Sequence, residues 1–103
     1  MAMGSANTTL RPEEIVAQAI ALFPEVERII LYGSRARGDN RPRSDIDLAV
    51  EADSMTIDRW FDLIDAAEEA PTLLKIDLVR LDQVPEELRK SIEDEGKVIY
   101  ERA

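Results

Sequence analysis

The spacing of apolar residues divides the chain into segments of two kinds. Where apolar residues recur three and four positions apart, they predict helices, over residues 11–23, 56–70 and 85–95. Where they run continuously or alternate with polar residues, they predict strands, over residues 26–32, 45–51 and 73–81. Lys97–Glu101 is expected to be a short edge strand or a packed tail. Helices and strands therefore alternate along the chain.

Each predicted helix has an apolar face that is expected to be buried. In the first helix Leu22 shares such a face with Ile15 and Ala19. In the last helix Leu88 and Ile92 are expected to point inward. The expected apolar stripe of the helix over residues 56–70 consists of Ile57, Trp60, Phe61, Ile64 and Ala67.

The predicted strands carry carboxylates on one face and aliphatic residues on the other. Asp45 and Asp47 alternate with Ile46, and Asp77 has the same parity between Ile76 and Leu78. A buried unpaired carboxylate would cost several kcal/mol, so the acidic face is expected to meet water, metal or ligand. This predicts an α/β (α+β) fold with a small mixed β-sheet and helices packed on one face. One domain is expected over residues 10–103, after a flexible N-terminus at residues 1–9.

Composition limits the chemistry that the chain can perform. It has no cysteine and no histidine, which removes thiol chemistry, disulfides and the commonest general base. With 13 basic and 22 acidic residues the net charge is −9, which argues against a broad nucleic-acid-binding face. No signal peptide and no apolar run of roughly 18–20 residues are present. A cytoplasmic protein without membrane contact is expected.

A local basic segment interrupts this acidic composition. Arg35, Arg37, Arg41 and Arg43 lie between Gly33 and Ser44, opposed only by Asp39. Such a loop suits a small anionic ligand such as a triphosphate. A solvated loop whose arginines pair with neighbouring acids explains the same charges equally well.

The acidic pair in the second strand is the first candidate for metal chemistry. Asp45 and Asp47 project from one face within reach of one ion, and Asp77 would join them if its strand is the neighbour. Magnesium prefers such hard oxygen ligands, and three carboxylates can hold a pair of ions. Taken alone, an Asp-x-Asp pair in a strand is more often an exposed strand face.

The Gly33-Ser34 pair is the second candidate, because it follows a buried strand directly. Glycine allows close approach of the backbone to a phosphate, and the Ser34 hydroxyl can donate to a phosphate oxygen. Taken alone, Gly-Ser is a common turn without any ligand. Ser44, immediately before Asp45, could likewise serve only to turn the backbone.

Together these motifs have a specific spacing. Tyr32-Gly-Ser-Arg-Ala-Arg-Gly38 and Ser44-Asp-Ile-Asp-Leu48 leave ten residues between Ser34 and Asp45, and Lys75-Ile-Asp-Leu-Val79 follows. Over residues 12–101 the sequence resembles the minimal nucleotidyltransferase family of the DNA polymerase β superfamily. The resemblance implies the single-domain nucleotidyltransferase fold.

The resemblance also implies roles for individual residues. Gly33 and Ser34 would bind the triphosphate of ATP, with Arg35, Arg37 and Ser44 as further nucleotide-binding residues. The catalytic, metal-binding residues would be Asp45, Asp47 and Asp77, holding one or two Mg²⁺ ions.

Small proteins of this kind resemble the antitoxin of a two-gene toxin–antitoxin module. The implied function is transfer of AMP from ATP to a tyrosine hydroxyl of a HEPN-family partner. A non-catalytic antitoxin that sheathes its partner is one alternative, and an adenylyltransferase subunit for a small molecule or RNA end is another. Since 103 residues leave no room for an acceptor-binding domain, a partner or a second copy of the chain is expected to supply the acceptor.

Overall fold

The computed structural model describes residues 10–103; the predicted flexible start at residues 1–9 lies outside the described residues. The predicted alternation of helices and strands is confirmed, and the turn after Gly33 forms an additional short helix. The elements are α1 (Pro12–Ile20), β1 (Arg28–Tyr32), α2 (Ser34–Arg37), β2 (Ile46–Glu51), α3 (Ile57–Glu68), β3 (Ile76–Arg80), a 3-10 turn (Leu81–Gln83), α4 (Glu86–Glu95) and β4 (Lys97–Glu101).

The four strands form one mixed sheet in the order β3-β2-β1-β4. β1 runs antiparallel to both β2 and β4, whereas β2 and β3 are parallel. Parallel neighbours need a crossover connection, and α3 provides it here. Because parallel strands begin at the same edge of a sheet, the first residues of β2 and β3 lie together.

The main core lies between one face of the sheet and the helices α1 and α3. Alternate residues of β1 and β2 point into it, as the period of two predicts. The fully buried side chains of this core include Val16, Ile20, Ile29, Ile46, Leu48, Val50, Leu63 and Ala67. The helices α1 and α3 therefore form the helical layer that was predicted on one face of the sheet.

The opposite face of the sheet is covered only in part. Ile30 and Ala49 pack there against Leu81 and against Ile92 of α4. The helix α4 thus adds a second, smaller core on the face that also carries the acidic residues. Asp77, on the same face, keeps 46% of its side chain exposed.

The orientation of α3 differs from the predicted stripe. Ile57 and Phe61 are exposed, whereas Leu63 is fully buried together with Ala67. Trp60 packs partly buried against the same core. Two stripes at helical spacing overlap in this segment, and the one that contains Leu63 packs into the core formed by α1 and the sheet.

The other predicted elements within residues 11–95 are also shorter than expected; β1 begins at Arg28 rather than at residue 26, and α1 and β3 are shortened most. The helix α1 ends at Ile20 rather than at residue 23, since a residue preceding a proline such as Pro24 is disfavoured in a helix. Leu22 therefore lies beyond the helix and is exposed. The strand β3 begins only at Ile76, where its partner β2 begins, and Leu73 is fully exposed. None of the helices within residues 10–103 combines the length and apolarity needed to span a bilayer.

The two inward residues predicted for α4 have different environments, which gives a test of the fold. Ile92 is 1% exposed, whereas Leu88 is 36% exposed, contrary to the prediction. Ile92→Ala is expected to lower the free energy of unfolding by about 2–5 kcal/mol, since it empties a buried site. Leu88→Ala should cost less than about 1 kcal/mol. Urea denaturation would measure both, and equal losses would contradict the packing of α4.

Candidate active site

The parallel pairing of β2 and β3 places two of the predicted metal ligands side by side. Asp47 is the direct register partner of Asp77 on one side and of Tyr32 on the other. Directly opposed residues of neighbouring strands point to the same face, so these three side chains form a row across the sheet. Asp45 is exposed, precedes β2 by one residue and is two positions from Asp47.

Asp47 is a partly buried carboxylate whose pKa is shifted by its surroundings. Its pKa is raised above the ordinary value by burial, then by the charges of Asp77 and Asp45 and by a hydrogen bond with Asp77. The nearby positive charge of Arg37 opposes this increase in pKa. Burial and like charge both disfavour the ionised form, so a cation at this position would be stabilised by the same groups.

The sequence pattern included Tyr32 in the motif before Gly33 but gave it no role at the site. Burial raises the pKa of its hydroxyl, and the charges of Asp47 and Asp77 add to this effect. Its ring packs against the small core that contains Ile30 and Ile92. Tyr32 therefore remains protonated at neutral pH and forms one side of the acidic row. The period of two in β1 could have placed it there once the neighbour of β1 was known.

Gly33 provides the closest contact between the Gly-Ser turn and the acids. Its φ of 75° and ψ of −155° lie in a region that essentially only glycine occupies. A Cβ atom at this position would overlap Oδ2 of Asp47 and lie 3.3 Å from its Cγ. The turn and the carboxylate can approach this closely only because residue 33 has no side chain.

The short helix α2 carries Ser34 and Arg37 next to the acidic row. Ser34 is its first residue, and the Gly33 carbonyl accepts hydrogen bonds from the backbone amides of Ala36 and Arg37. Arg37 is half-exposed, and its Nε donates to Oδ2 of Asp39 at 3.3 Å. The predicted nucleotide-binding residues Ser34 and Arg37 thus lie on the same side of the molecule as Asp47.

Arg35 and Ser44 are directed into the protein's own loop. The Arg35 guanidinium donates to the carbonyl oxygens of Ser44 and Pro42, and it forms an ion pair with Glu13 of α1. The Ser44 hydroxyl accepts from the backbone amide of Arg41 at 2.9 Å. Nucleotide contact by Arg35 and Ser44 stays a prediction, and sequence reasoning did not find the ion pair because Glu13 reads as an ordinary acid in a first helical turn.

Similarity to known proteins now identifies the family. The model of the family described as polymerase beta nucleotidyltransferase matches residues 14–103. This chain belongs to that nucleotidyltransferase family. No functionally curated protein is significantly similar to it in sequence.

Solved structures with the same fold include toxin–antitoxin complexes. A structure described as a toxin-antitoxin with AMP-PNP is 26% identical, with a TM-score of 0.69, over 90% of this chain and 75% of the other. A tri-AMPylated Shewanella oneidensis HEPN toxin in complex with an MNT antitoxin is 24% identical, with a TM-score of 0.62 and coverages of 89% and 74%. A putative nucleotidyltransferase from Sulfolobus solfataricus is 22% identical, with a TM-score of 0.55 and coverages of 87% and 77%. The resemblance to minimal nucleotidyltransferases is thereby confirmed.

The acidic residues of this nucleotidyltransferase have the chemistry that suits Mg²⁺. Among residues 10–103 no three acidic side chains lie close enough to enclose an ion, and Lys75 Nζ is 4.0 Å from Asp77 Oδ1. Asp45, Asp47 and Asp77 nevertheless offer hard oxygen ligands from one edge of the sheet. Burial and repulsion by Asp77 and Asp45 raise the pKa of Asp47 because they disfavour its negative charge. A divalent cation would offset this unfavourable energy by its own positive charge.

Proposed function

We propose that this nucleotidyltransferase uses Mg²⁺ and ATP to transfer AMP to a tyrosine hydroxyl of a HEPN-family toxin, and so acts as an antitoxin. The observation that carries the proposal is the row of Asp47 and Asp77 against Gly33 at the start of two parallel strands. Membership of the family supports nucleotidyl transfer as the reaction class. The toxin–antitoxin structure with AMP-PNP supports ATP as the nucleotide.

The proposed reaction is an in-line displacement at the α-phosphorus of ATP. The acceptor oxygen forms a new bond to the α-phosphorus, while the bond from this phosphorus to the bridging oxygen breaks and pyrophosphate leaves. The hydroxyl proton passes to a carboxylate, for which Asp77 is suited because its side chain is half-exposed beside Asp47. Such reactions depend mainly on positioning and on charge stabilisation.

The Gly-Ser turn is the proposed binding site for the triphosphate. Gly33 leaves room beside Asp47, and the Ser34 hydroxyl can donate to a phosphate oxygen. Arg37 adds a positive charge that already acts on Asp47. Asp47 and its neighbour Asp77, together with Asp45, are the residues that would hold a Mg²⁺ ion once their side chains turned toward it, and the ion would neutralise charge on the phosphate oxygens.

A partner protein is the proposed source of the acceptor hydroxyl. The complex between an AMPylated HEPN toxin and an MNT antitoxin supports a HEPN protein in this role. The net charge of −9 supports a protein acceptor over RNA, because backbone phosphates would be repelled. A HEPN toxin is therefore the first acceptor to test.

Label transfer tests the proposed function directly. The purified chain would be incubated with Mg²⁺, a lysate of its host and ATP labelled at either the α- or the γ-phosphate. We expect one protein band to be labelled from α-labelled ATP only, with a mass increase of one AMP per site. The same reaction with the Asp45→Ala/Asp47→Ala double variant should give no label, while its circular dichroism spectrum remains that of the wild type.

Other outcomes would point to other functions. Label in RNA or in a small molecule would show an adenylyltransferase with a different acceptor. Absence of label while a HEPN partner is bound would show an antitoxin that acts by sheathing. In that case the double variant would neutralise the toxin as well as the wild type does.

A further inference from the structure

A buried ion pair connects α1 to the loop that separates the two active-site motifs. Arg35 Nη1 lies 3.6 Å from Oε1 of Glu13, and the two side chains are only 8% and 6% exposed. The predicted nucleotide-binding arginine is therefore mostly covered by protein. Arg37, two residues further along, keeps 53% of its side chain exposed.

The rest of the Arg35 guanidinium is used by backbone carbonyl groups. Its Nε and Nη2 donate to the Ser44 carbonyl at 3.2 and 2.9 Å, and Nη2 also donates to the Pro42 carbonyl at 3.1 Å. The planar guanidinium can make these bonds simultaneously, which a lysine ammonium cannot reproduce in the same geometry. Arg35 thus bridges α2 to the far end of the loop.

The two ends of this bridge are next to the two halves of the site. Arg35 directly follows Ser34 of the proposed triphosphate site, and Ser44 directly precedes Asp45 of the proposed metal site. Between them, residues 38–45 belong to no helix or strand. The bonds of Arg35 therefore set the distance between the Gly-Ser turn and the first carboxylate.

Glu13 adds an ion pair to the hydrogen bonds that hold the Arg35 side chain in this direction. Oε1 of Glu13 is buried and accepts no hydrogen bond, and the Arg35 guanidinium is its ion-pair partner at 3.6 Å. Turning Arg35 toward a phosphate would leave this carboxylate unpaired in the interior, which is strongly unfavourable.

We propose that Glu13 and Arg35 are a positioning pair that holds Ser34 and Asp45 at their working separation, and that Arg35 does not bind the phosphates of ATP. This inference rests on the proposed function, because it assigns the parts of that same site. It separates the two arginines of α2 by role: Arg35 is structural, and Arg37 is the arginine available to the triphosphate.

Steady-state kinetics distinguish positioning from phosphate binding. Glu13→Gln and Arg35→Met are each expected to lower kcat by about 10–100-fold, with KM for MgATP changed less than about 3-fold, since misplaced groups slow the chemical step. The double variant should be no slower than the slower single variant, because both changes remove the same bridge. Arg37→Met should instead raise KM.

Amide hydrogen exchange supplies a readout that needs neither ATP nor metal. The hydrogen-bonded amides within residues 40–46, which are those of Arg41, Ser44 and Ile46, are expected to exchange at least about 10-fold faster in both Glu13→Gln and Arg35→Met than in the wild type, since the loop loses its anchor. Arg35→Lys keeps the positive charge but loses the planar guanidinium, so its exchange rates should lie between those of the two variants and those of the wild type. If Arg35→Met does not fold, Glu13→Gln and Arg35→Lys decide the question by the same measurements.

Two results would overturn the positioning role. One is unchanged exchange of residues 40–46 in Glu13→Gln. The other is an Arg35→Met variant with a raised KM beside a Glu13→Gln variant with wild-type kinetics, which would make Arg35 a phosphate ligand. If the wild type transfers no AMP, the proposed function fails, whereas the exchange measurement still decides whether the pair holds the loop.

Discussion

Asp47→Asn is expected to abolish nucleotidyl transfer and, in the absence of divalent cations, to make the protein more stable at pH 7. The loss of transfer should be on the order of 10³-fold or more, since a metal contributes several kcal/mol of charge stabilisation to such reactions. The gain in stability follows from the environment of Asp47. Burial and the charges of Asp77 and Asp45 raise its pKa, so its ionised form is disfavoured in the folded state.

The difference in stability should depend on pH with a definite sign. A carboxyl whose pKa is raised on folding stabilises the folded state fully below its unfolded pKa, near 3.8, and loses that contribution as pH rises through the folded value. The wild type should therefore be less stable than Asp47→Asn at pH 7. The two proteins should approach equal stability as pH falls below the raised pKa of Asp47.

Urea denaturation in EDTA at several pH values would measure this difference. Asp65→Asn is the matched control, because it removes the same charge from an exposed position of α3. It should leave both transfer and the pH dependence unchanged. In the wild type Mg²⁺ should raise the melting temperature by mass action, and Asp47→Asn should lose this effect. If Asp47→Asn were less stable than the wild type at pH 7, this would contradict the inference that burial and neighbouring charges disfavour the ionised form of Asp47.

The sequence was sufficient to predict the elements that position the site. The period of two around Asp47 and Asp77 assigned both to one face, and the register of β2 and β3 makes them direct neighbours. Strand parity alone could not establish that these strands are adjacent, because pairing depends on the whole sheet. The proximity of Tyr32 required the same information.

The errors in the helices have a different physical origin. Residues 56–70 contain two overlapping apolar stripes, and local spacing gives no reason to prefer Leu63 to Phe61. Only packing against the sheet and α1 decides which stripe is buried. The pairing of Glu13 with Arg35 could not be predicted from local spacing either, since it joins residues that are far apart in the chain.

Gly33→Ala is expected to reduce transfer by about 10²–10³-fold, although it adds a single methyl group. The methyl group would overlap Asp47 Oδ2, which is the end of a side chain and can turn away. That turn would displace the carboxylate from the site, and small misplacements of reacting groups cost about 10² in rate. Because Gly33 has a positive φ, alanine at this position is also strained, and the free energy of unfolding should fall by about 1–3 kcal/mol.

Gly38→Ala is the matched control, because Gly38 also has a positive φ, whereas a methyl group on its Cα would meet no atom of residues 10–103 within 4 Å. It should lose about 1–2 kcal/mol of stability to the left-handed backbone and keep transfer within about 3-fold of the wild type. Urea denaturation and label transfer on both variants give the comparison. Equal losses of transfer would mean that backbone strain is the cause. Loss confined to Gly33→Ala would mean that close approach of the Gly-Ser turn to Asp47 is required for the reaction.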